Sequence, residues 1–253
     1  MTKYRWVICA LLFFATTINY IDRQILSLIK PILDEQLKWN NEQFGYVNSA
    51  FQGAYGIGLL FFGWFIDKFG TKVGYAVSIA AWSVAAMSHA LVGSVGGFIN
   101  ARIALGLGEG GNFPSAIKAV ALWFPKKERA LATTLFNSGT NVGAIIAPAL
   151  VPWIAYAWGW HWAFIVAGLA GFLWLFLWIP FYSTPDKIKL VSATELDYIH
   201  SDKDEAAGDA AAKPSWGSLL KYRQTWSFVF AKFMTDPIWW FFLIWLPDYF
   251  KKT

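Results

Sequence analysis

Two pairs of charged residues stand where charge is expensive. Asp22 and Arg23 are adjacent in LLFFATTINYIDRQILSLI, and Arg102 and Glu109 punctuate RIALGLGEGG. A charged group at the centre of a bilayer costs about 2.5–3.5 kcal/mol on insertion scales, so such groups face the bundle interior and mark ligand or proton paths. Arg102 and Glu109 are seven residues apart, two turns or about 10.5 Å along one helix face, and so line the same cavity. Arginine presents a planar fork that grips a carboxylate through parallel bonds. A buried acid is pushed up by desolvation and down by a nearby arginine. It can therefore occupy an arginine until it takes a proton, which frees that arginine for an anionic substrate. Proton-coupled anion binding is the chemistry these four residues can perform. The competing reading is two structural ion pairs, Asp22–Arg102 and Arg23–Glu109, that only hold helices together. It carries less weight, because buried pairs stabilise poorly compared with apolar packing.

These residues lie in a chain made for a bilayer. Of 253 residues, 57% are hydrophobic and 15% charged, against about 25% charged in soluble domains. Apolar stretches long enough to span occur near 6–30, 43–66, 73–93, 96–123, 130–156, 162–182 and 226–250. The N-terminus imitates a secretory signal, but its apolar run continues far past the length of a signal core and reads as a first membrane helix. Lysine and arginine concentrate on one side of the spans: Lys3, Arg5, Lys68, Lys72, Lys126, Lys127, Arg129, Lys187, Lys189, Lys203, Lys213, Lys221 and Arg223, against Lys38, Lys251 and Lys252, with Lys30 at a helix end. That bias places the N-terminus in the cytoplasm and explains the net charge of +5 without nucleic acid.

GLGEGG matches G-x-G-x-x-G, yet a dinucleotide fingerprint needs a βαβ unit around it. Gly106, Gly108 and Gly111 instead sit within an apolar span. Gly106 and Gly110 form a GxxxG for close helix approach, and Pro114 predicts a kink. Gly139 and Gly143, with Pro148 and Pro152, repeat the arrangement. Tyr20, Gln52, Tyr55, Asn137, Thr140 and Asn141 are polar or aromatic groups within spans, each as compatible with packing as with ligand contact. Lys118 reads as a snorkelling side chain, and Lys232 with Asp236 as a pair along one helix face. In the long polar segment 183–225, SATE reads as a capping box opening a short helix that ends at His200, and SWGSLLKYR as an interfacial amphipathic piece. The acidic stretch 202–209 reads as solvated. His89, His161 and His200 lie apart and Cys9 is alone, so no metal cluster, nucleophile–base set or cofactor site is expected.

GWFIDKFGTK (63–72) resembles the G-x-x-x-D-R/K-x-G-x-R/K motif of the major facilitator superfamily. NYIDR, RIALGLGEGGNFPS, FNSGTNVGAIIAP and KFMTDPIWWFFLIWLPDYF are similar to the anion:cation symporter branch, and the last to its hexuronate transporter group. The resemblance implies an all-α membrane protein with a six-helix N-terminal half (1–182), a cytoplasmic central loop (183–225) and a seventh membrane helix (226–253) opening a truncated second half. It implies Asp22 and Glu109 as proton-coupling acids, Arg23 and Arg102 as contacts for the substrate carboxylate, and Tyr20 and Tyr55 as pocket tyrosines. Thr140 stands where some relatives carry glutamine, a departure that bears on sugar-hydroxyl recognition. Gly63, Asp67, Lys68, Gly70 and Lys72 would form a conformational latch, with Asp67 meeting a helix N-terminus and cations.

The function expected is proton-coupled uptake of a hexuronate such as galacturonate or glucuronate across a bacterial inner membrane, by a chain that is monomeric at full length. Aldonates or aldarates are the alternative cargo, and a membrane-embedded enzyme or a seven-helix receptor the alternative classes.

Overall fold

A computed structural model describes residues 2–201 and 216–252, and the acidic stretch 202–209 lies outside them. Among the described residues every regular element is helical. The chain divides into two units, the first closing at Asp202.

In the first unit, α1 (Tyr4–Leu37), α2 (Asn41–Phe69) and α3 (Thr71–Ser88) are followed by α4 (Val95–Glu109) and α5 (Asn112–Trp123). The long helices α6 (Lys126–Trp158) and α7 (Trp160–Phe181) and the short α8 (Ala193–His200) complete it. Local chemistry sets the boundaries. Lys38 closes α1 in a left-handed conformation, and Asn40 opens α2 with a full capping box to Gln43. Packing runs chiefly α1 along α6, α2 along α4, and α3 along α7 and α4.

Among the described residues, six helices are long and apolar enough to cross a membrane: α1, α2, α3 with its extension to Leu91, α6, α7, and Arg223–Leu246 in the second unit. The seventh expected span, 96–123, is two helices in succession. α4 has 15 residues and α5 has 12, about 22 and 18 Å, so neither alone covers the roughly 30 Å hydrocarbon core. The interruption falls at Gly110 and Gly111, just ahead of the expected kink. Pro114 lacks the amide that would bond back to the Gly110 carbonyl, so the interruption falls where the proline is expected to cause it, with Pro114 itself in the first turn of α5.

The expected close approaches are present. A Cβ on Gly106 would lie 2.5 Å from the Phe51 carbonyl, and one on Gly110 would strike the α2 backbone at Gly58 and Leu59. On the other side of the bundle, a Cβ on Gly143 would lie 2.7 Å from the Thr17 carbonyl of α1. Backbones thus meet without side chains between them, the contact that small residues permit in a membrane.

α8 differs from the local reading. Ser192 caps Glu195 N–H, but the Glu195 side chain does not complete the box. It turns instead to α1, whose own N-cap, Lys3, supplies no side-chain cap. Glu195 accepts from the Thr2 hydroxyl (2.5 Å), from the backbone N–H of Tyr4 (3.0 Å) and Arg5 (3.2 Å), and from Arg5 Nη1 (3.1 Å). Ser192 N–H, left over from the box, donates to Thr2 Oγ1. Arg5 Nε continues to Glu128 on the first turn of α6, which also accepts from Tyr198. One short helix thereby ties together the starts of α1 and α6. Burial alone would push the Glu195 carboxyl up, yet the donors from Thr2, Tyr4 and Arg5 override it and hold the carboxyl below its ordinary value.

The second unit holds α9 (Trp216–Leu219) and α10 (Arg223–Lys252). α9 is a single turn, shorter than the amphipathic piece expected. Within α10, Lys232 and Asp236 form the expected i,i+4 pair at 2.6 Å.

Three substitutions test these contacts in the full-length protein. Gly110→Ala should cost about 1–3 kcal/mol by overpacking, lowering the detergent melting temperature. Gly53→Ala, whose Cβ meets nothing within 4 Å, should be neutral or stabilising by up to about 1 kcal/mol. Glu195→Ala should release α8, speeding tryptic cleavage at Lys187 and Lys189 roughly tenfold at neutral pH, as local opening becomes cheaper. Because the folded carboxyl is lowered, its stabilising effect is present above the usual value of about 4.3 and lost as pH falls through the lowered one. Wild-type protection should therefore persist to mildly acid pH and fade only below it.

Candidate functional site

The four membrane-depth charges converge. α1 carries Asp22 and Arg23 near the middle of its 34 residues, and α4 carries Arg102 at its midpoint and ends on Glu109. Arg23 Nε donates to Glu109 Oε2 at 2.6 Å, with both side chains buried. Three rings surround the Arg23 guanidinium: its Cζ lies 4.3 Å from the Tyr55 ring centroid, 5.1 Å from Tyr20 and 5.4 Å from Phe51. Arg102 Cζ lies 5.5 Å from the same Phe51 ring. Phe51 is thus shared by both guanidiniums, a favourable arrangement for cations out of water. Phe51 was not among the residues singled out in the sequence, where one phenylalanine among 22 carries no mark.

Of the two ion pairs weighed above, one is present. Arg23 meets Glu109, but Asp22 and Arg102 are not hydrogen-bonded to each other. Asp22 and Arg102 are each 1% exposed and Glu109 is fully buried. Yet neither Asp22 oxygen, nor Arg102 Nε and Nη2, nor Glu109 Oε1 meets a protein hydrogen-bond partner. Asn19, three residues before Asp22 and fully buried, faces the Glu109 carboxylate. Buried polar groups are ordinarily satisfied, and an unsatisfied one costs about 1–3 kcal/mol. A helix–helix clasp would use its donors and acceptors on each other. This cluster keeps a guanidinium edge and a carboxylate unused, side by side, which suits an anionic group and a proton.

The remaining expected pocket residues divide. Tyr20 is buried against Arg23 and Tyr55 is half-buried there. Gln52 is half-buried one turn away on α2, and Thr140 is buried on α6. Asn137 and Asn141 of α6 are exposed, and no hydrogen bond joins Gln52, Asn137, Thr140 or Asn141 to the charged cluster.

At the α2–α3 turn, Asp67 meets a cation from a helix the sequence reading had set aside. Lys118 of α5 pairs with Asp67 at 2.6 Å and also donates to the Ile66 carbonyl at 3.0 Å. Gly70 turns the chain at φ 85°, a conformation that favours glycine. Lys68 lies over the rings of Trp64 and Phe69, the Lys72 carbonyl accepts from Trp178 of α7, and Gly63 is half-buried on α2. Nothing local distinguishes a snorkelling lysine from a paired one, so Lys118 was legible only with α2 in place.

Comparison with known proteins places these features. The sequence profile described as Major Facilitator Superfamily matches residues 12–253. The hexuronate transporter of Escherichia coli (strain K12) is 36% identical over 250 residues, covering 98% of this chain and 58% of that protein. The galacturonate transporter of Dickeya chrysanthemi is 34% identical over 251 residues, covering 98% and 72%. The chain therefore spans between half and three quarters of the length of these relatives. Among solved structures, a bacterial homologue of the human lysosomal transporter Spinster, inward-facing and unoccupied, superposes with a TM-score of 0.64 over 73% of this chain and 44% of that one. At 19% identity that likeness supports the fold alone.

The Asp67–Lys118 pair is largely exposed, and exposed pairs are worth about 0–1 kcal/mol. Lys118→Met should therefore leave the melting temperature of the full-length protein within about 2 °C of the parent. A larger drop would make the pair a structural clasp.

Proposed function

Because the chain belongs to the Major Facilitator Superfamily, we propose that it carries the substrate-carboxylate and proton sites of a secondary transporter that takes up a sugar acid, a hexuronate such as galacturonate or glucuronate, by proton symport. Its relatives are transporters and not enzymes, and it is a multi-pass membrane protein. The observation that carries the proposal is the buried Arg23–Glu109 bond set beside an Arg102 edge and an Asp22 carboxylate that no protein atom satisfies.

The mechanism follows from that geometry. While Glu109 is ionised it occupies Arg23, and the substrate carboxylate must compete with it. Protonation of Glu109 removes the competing charge, and Arg23 and Arg102 then grip the substrate carboxylate. Proton and substrate favour each other reciprocally. Asp22 is the second acid of the set. Tyr20, Tyr55, Gln52, Asn137, Thr140 and Asn141 are proposed to meet the sugar hydroxyls. The loop residues Gly63, Asp67, Lys68, Gly70 and Lys72, with Lys118, bias the exchange between inward- and outward-facing states. The excess of lysine and arginine on one side supports a cytoplasmic N-terminus in a bacterial inner membrane. The full-length protein is proposed to act as a monomer. Aldonates and aldarates remain the alternative cargo, separated by a counterflow panel.

The test uses full-length protein in proteoliposomes. Glu109→Gln mimics the protonated acid and has no proton to exchange. Exchange of labelled galacturonate should survive, while accumulation driven by a pH gradient is lost. A variant that still concentrates substrate on a proton gradient would remove Glu109 from coupling. Equal losses of exchange and accumulation would favour a clasp. In parallel, Arg102→Lys should weaken substrate binding at least about tenfold, since an ammonium cannot reproduce the bidentate fork. Affinity equal to the parent would place Arg102 outside the substrate site.

A further inference from the structure

α3 touches the break between α4 and α5 on both sides of Glu109. Before the break, the Ser78 hydroxyl donates to the Gly108 carbonyl at 2.7 Å. After it, the Tyr75 hydroxyl donates to Asn112 Oδ1 at 2.6 Å. Tyr75, Ser78 and Asn112 are fully buried, and Gly108 lies against α3 so closely that a Cβ there would come within 2.7 Å of the Trp82 backbone nitrogen. A Cβ on Gly111 would strike Ser78 itself. Between the two anchors stand only Glu109, Gly110 and Gly111.

Gly110 and Gly111 keep right-handed helical conformations in this turn, but without side chains they hold that geometry weakly, because glycine leaves it at little penalty. The aim of Glu109, the last residue before the turn, therefore depends on what packs against it: α2 at Gly110 and α3 on both flanks. α1 receives the carboxylate through Arg23 but does not fix the backbone that delivers it. The two hydroxyls of α3, one turn apart on one helix face, bracket that backbone.

We propose that Tyr75 and Ser78 are positioning residues for the acid–arginine pair: by clamping Gly108 and Asn112 they set the direction in which the helix break presents Glu109 to Arg23. The proposal rests on the reading of Glu109 as the coupling acid. Neither hydroxyl touches the carboxylate. The charged and titratable groups that face the pair are Asp22 and Tyr20 from α1, Tyr55 from α2 and Arg102 from α4, while His89, beyond the end of α3, faces Arg102. None of these is altered by the test substitutions.

The consequence is a shift in pH dependence without loss of the binding site. A charge-assisted bond depends on short, aligned contact. If the clamp is loosened, Arg23 holds the Glu109 carboxylate less well, and the acid keeps its proton to higher pH. Substrate affinity, which falls as Glu109 ionises, then falls at higher pH. At low pH, with Glu109 protonated in both proteins, affinity should match the parent.

The experiment measures galacturonate affinity against pH for full-length wild type, Tyr75→Phe, Ser78→Ala and Glu109→Gln. The clamp variants are expected to move the midpoint upward by about half a pH unit or more, with low-pH affinity within about twofold of wild type. A folded Tyr75→Phe or Ser78→Ala with the wild-type midpoint would overturn the positioning role, and so would a uniform loss of affinity at every pH. If neither variant folds, the bonds serve helix packing and the proposal fails. Glu109→Gln separates the two levels. If it keeps the wild-type midpoint, Glu109 is not the coupling acid and the underlying reading fails. If it loses the midpoint while the clamp variants keep it, only the positioning role fails.

Discussion

The bond between Arg23 and Glu109 is the constraint on which the arrangement of the first unit turns. It places a cation and an anion at membrane depth, where an isolated charge is costly and a buried pair is a poor stabiliser. Apolar side chains of the same volume would hold α1 to α4 at least as well. What they would not provide is a contact that one proton can break. In the function proposed above, the pair acts as a competitor for the substrate, occupying the arginine in one protonation state and releasing it in the other. The neighbouring Arg102 edge and Asp22 carboxylate, both buried and neither satisfied by protein atoms, extend the same logic.

The rest of the fold serves to bring these four groups together and to leave them movable. α2 reaches α4 at backbone contact through Gly106 and Gly110, which sets Phe51 and Tyr55 against the guanidiniums. α1 reaches α6 the same way at Gly143. The break after Glu109 interrupts one span beside the site, where irregular backbone is tolerated only if protein or a cavity surrounds it. Away from the site, Glu195 fixes the start of α1, and Lys118 of α5 meets Asp67 at the α2–α3 turn.

The charged core was legible in the sequence because a charge inside an apolar run is a binary signal that no local context can disguise. The same holds for the spans and the small-residue contacts. The break was legible too, since Pro114 withholds the amide that would bond to the Gly110 carbonyl four residues back. Two features were not legible, each for a reason of range. Glu195 fits a local capping box, but α1 offered its side chain uncapped N–H groups some 190 residues away in the chain. Lys118 differs from any snorkelling lysine only in having Asp67 within reach. In each case the local reading named an available partner, and the tertiary fold supplied a better one.

The central claim is that the substrate carboxylate displaces the Glu109 carboxylate from Arg23, with Glu109 taking up a proton as it leaves. It is tested most directly by counting protons when substrate binds. Calorimetric titration of full-length protein with galacturonate, in buffers of different ionisation enthalpy at a pH where Glu109 is ionised, reports net proton uptake per binding event. The account predicts uptake approaching one proton in the wild type, most of it absent in Glu109→Gln. Binding with equal affinity and no proton uptake in the wild type would mean that the substrate does not displace Glu109 from Arg23, and that the pair is a clasp.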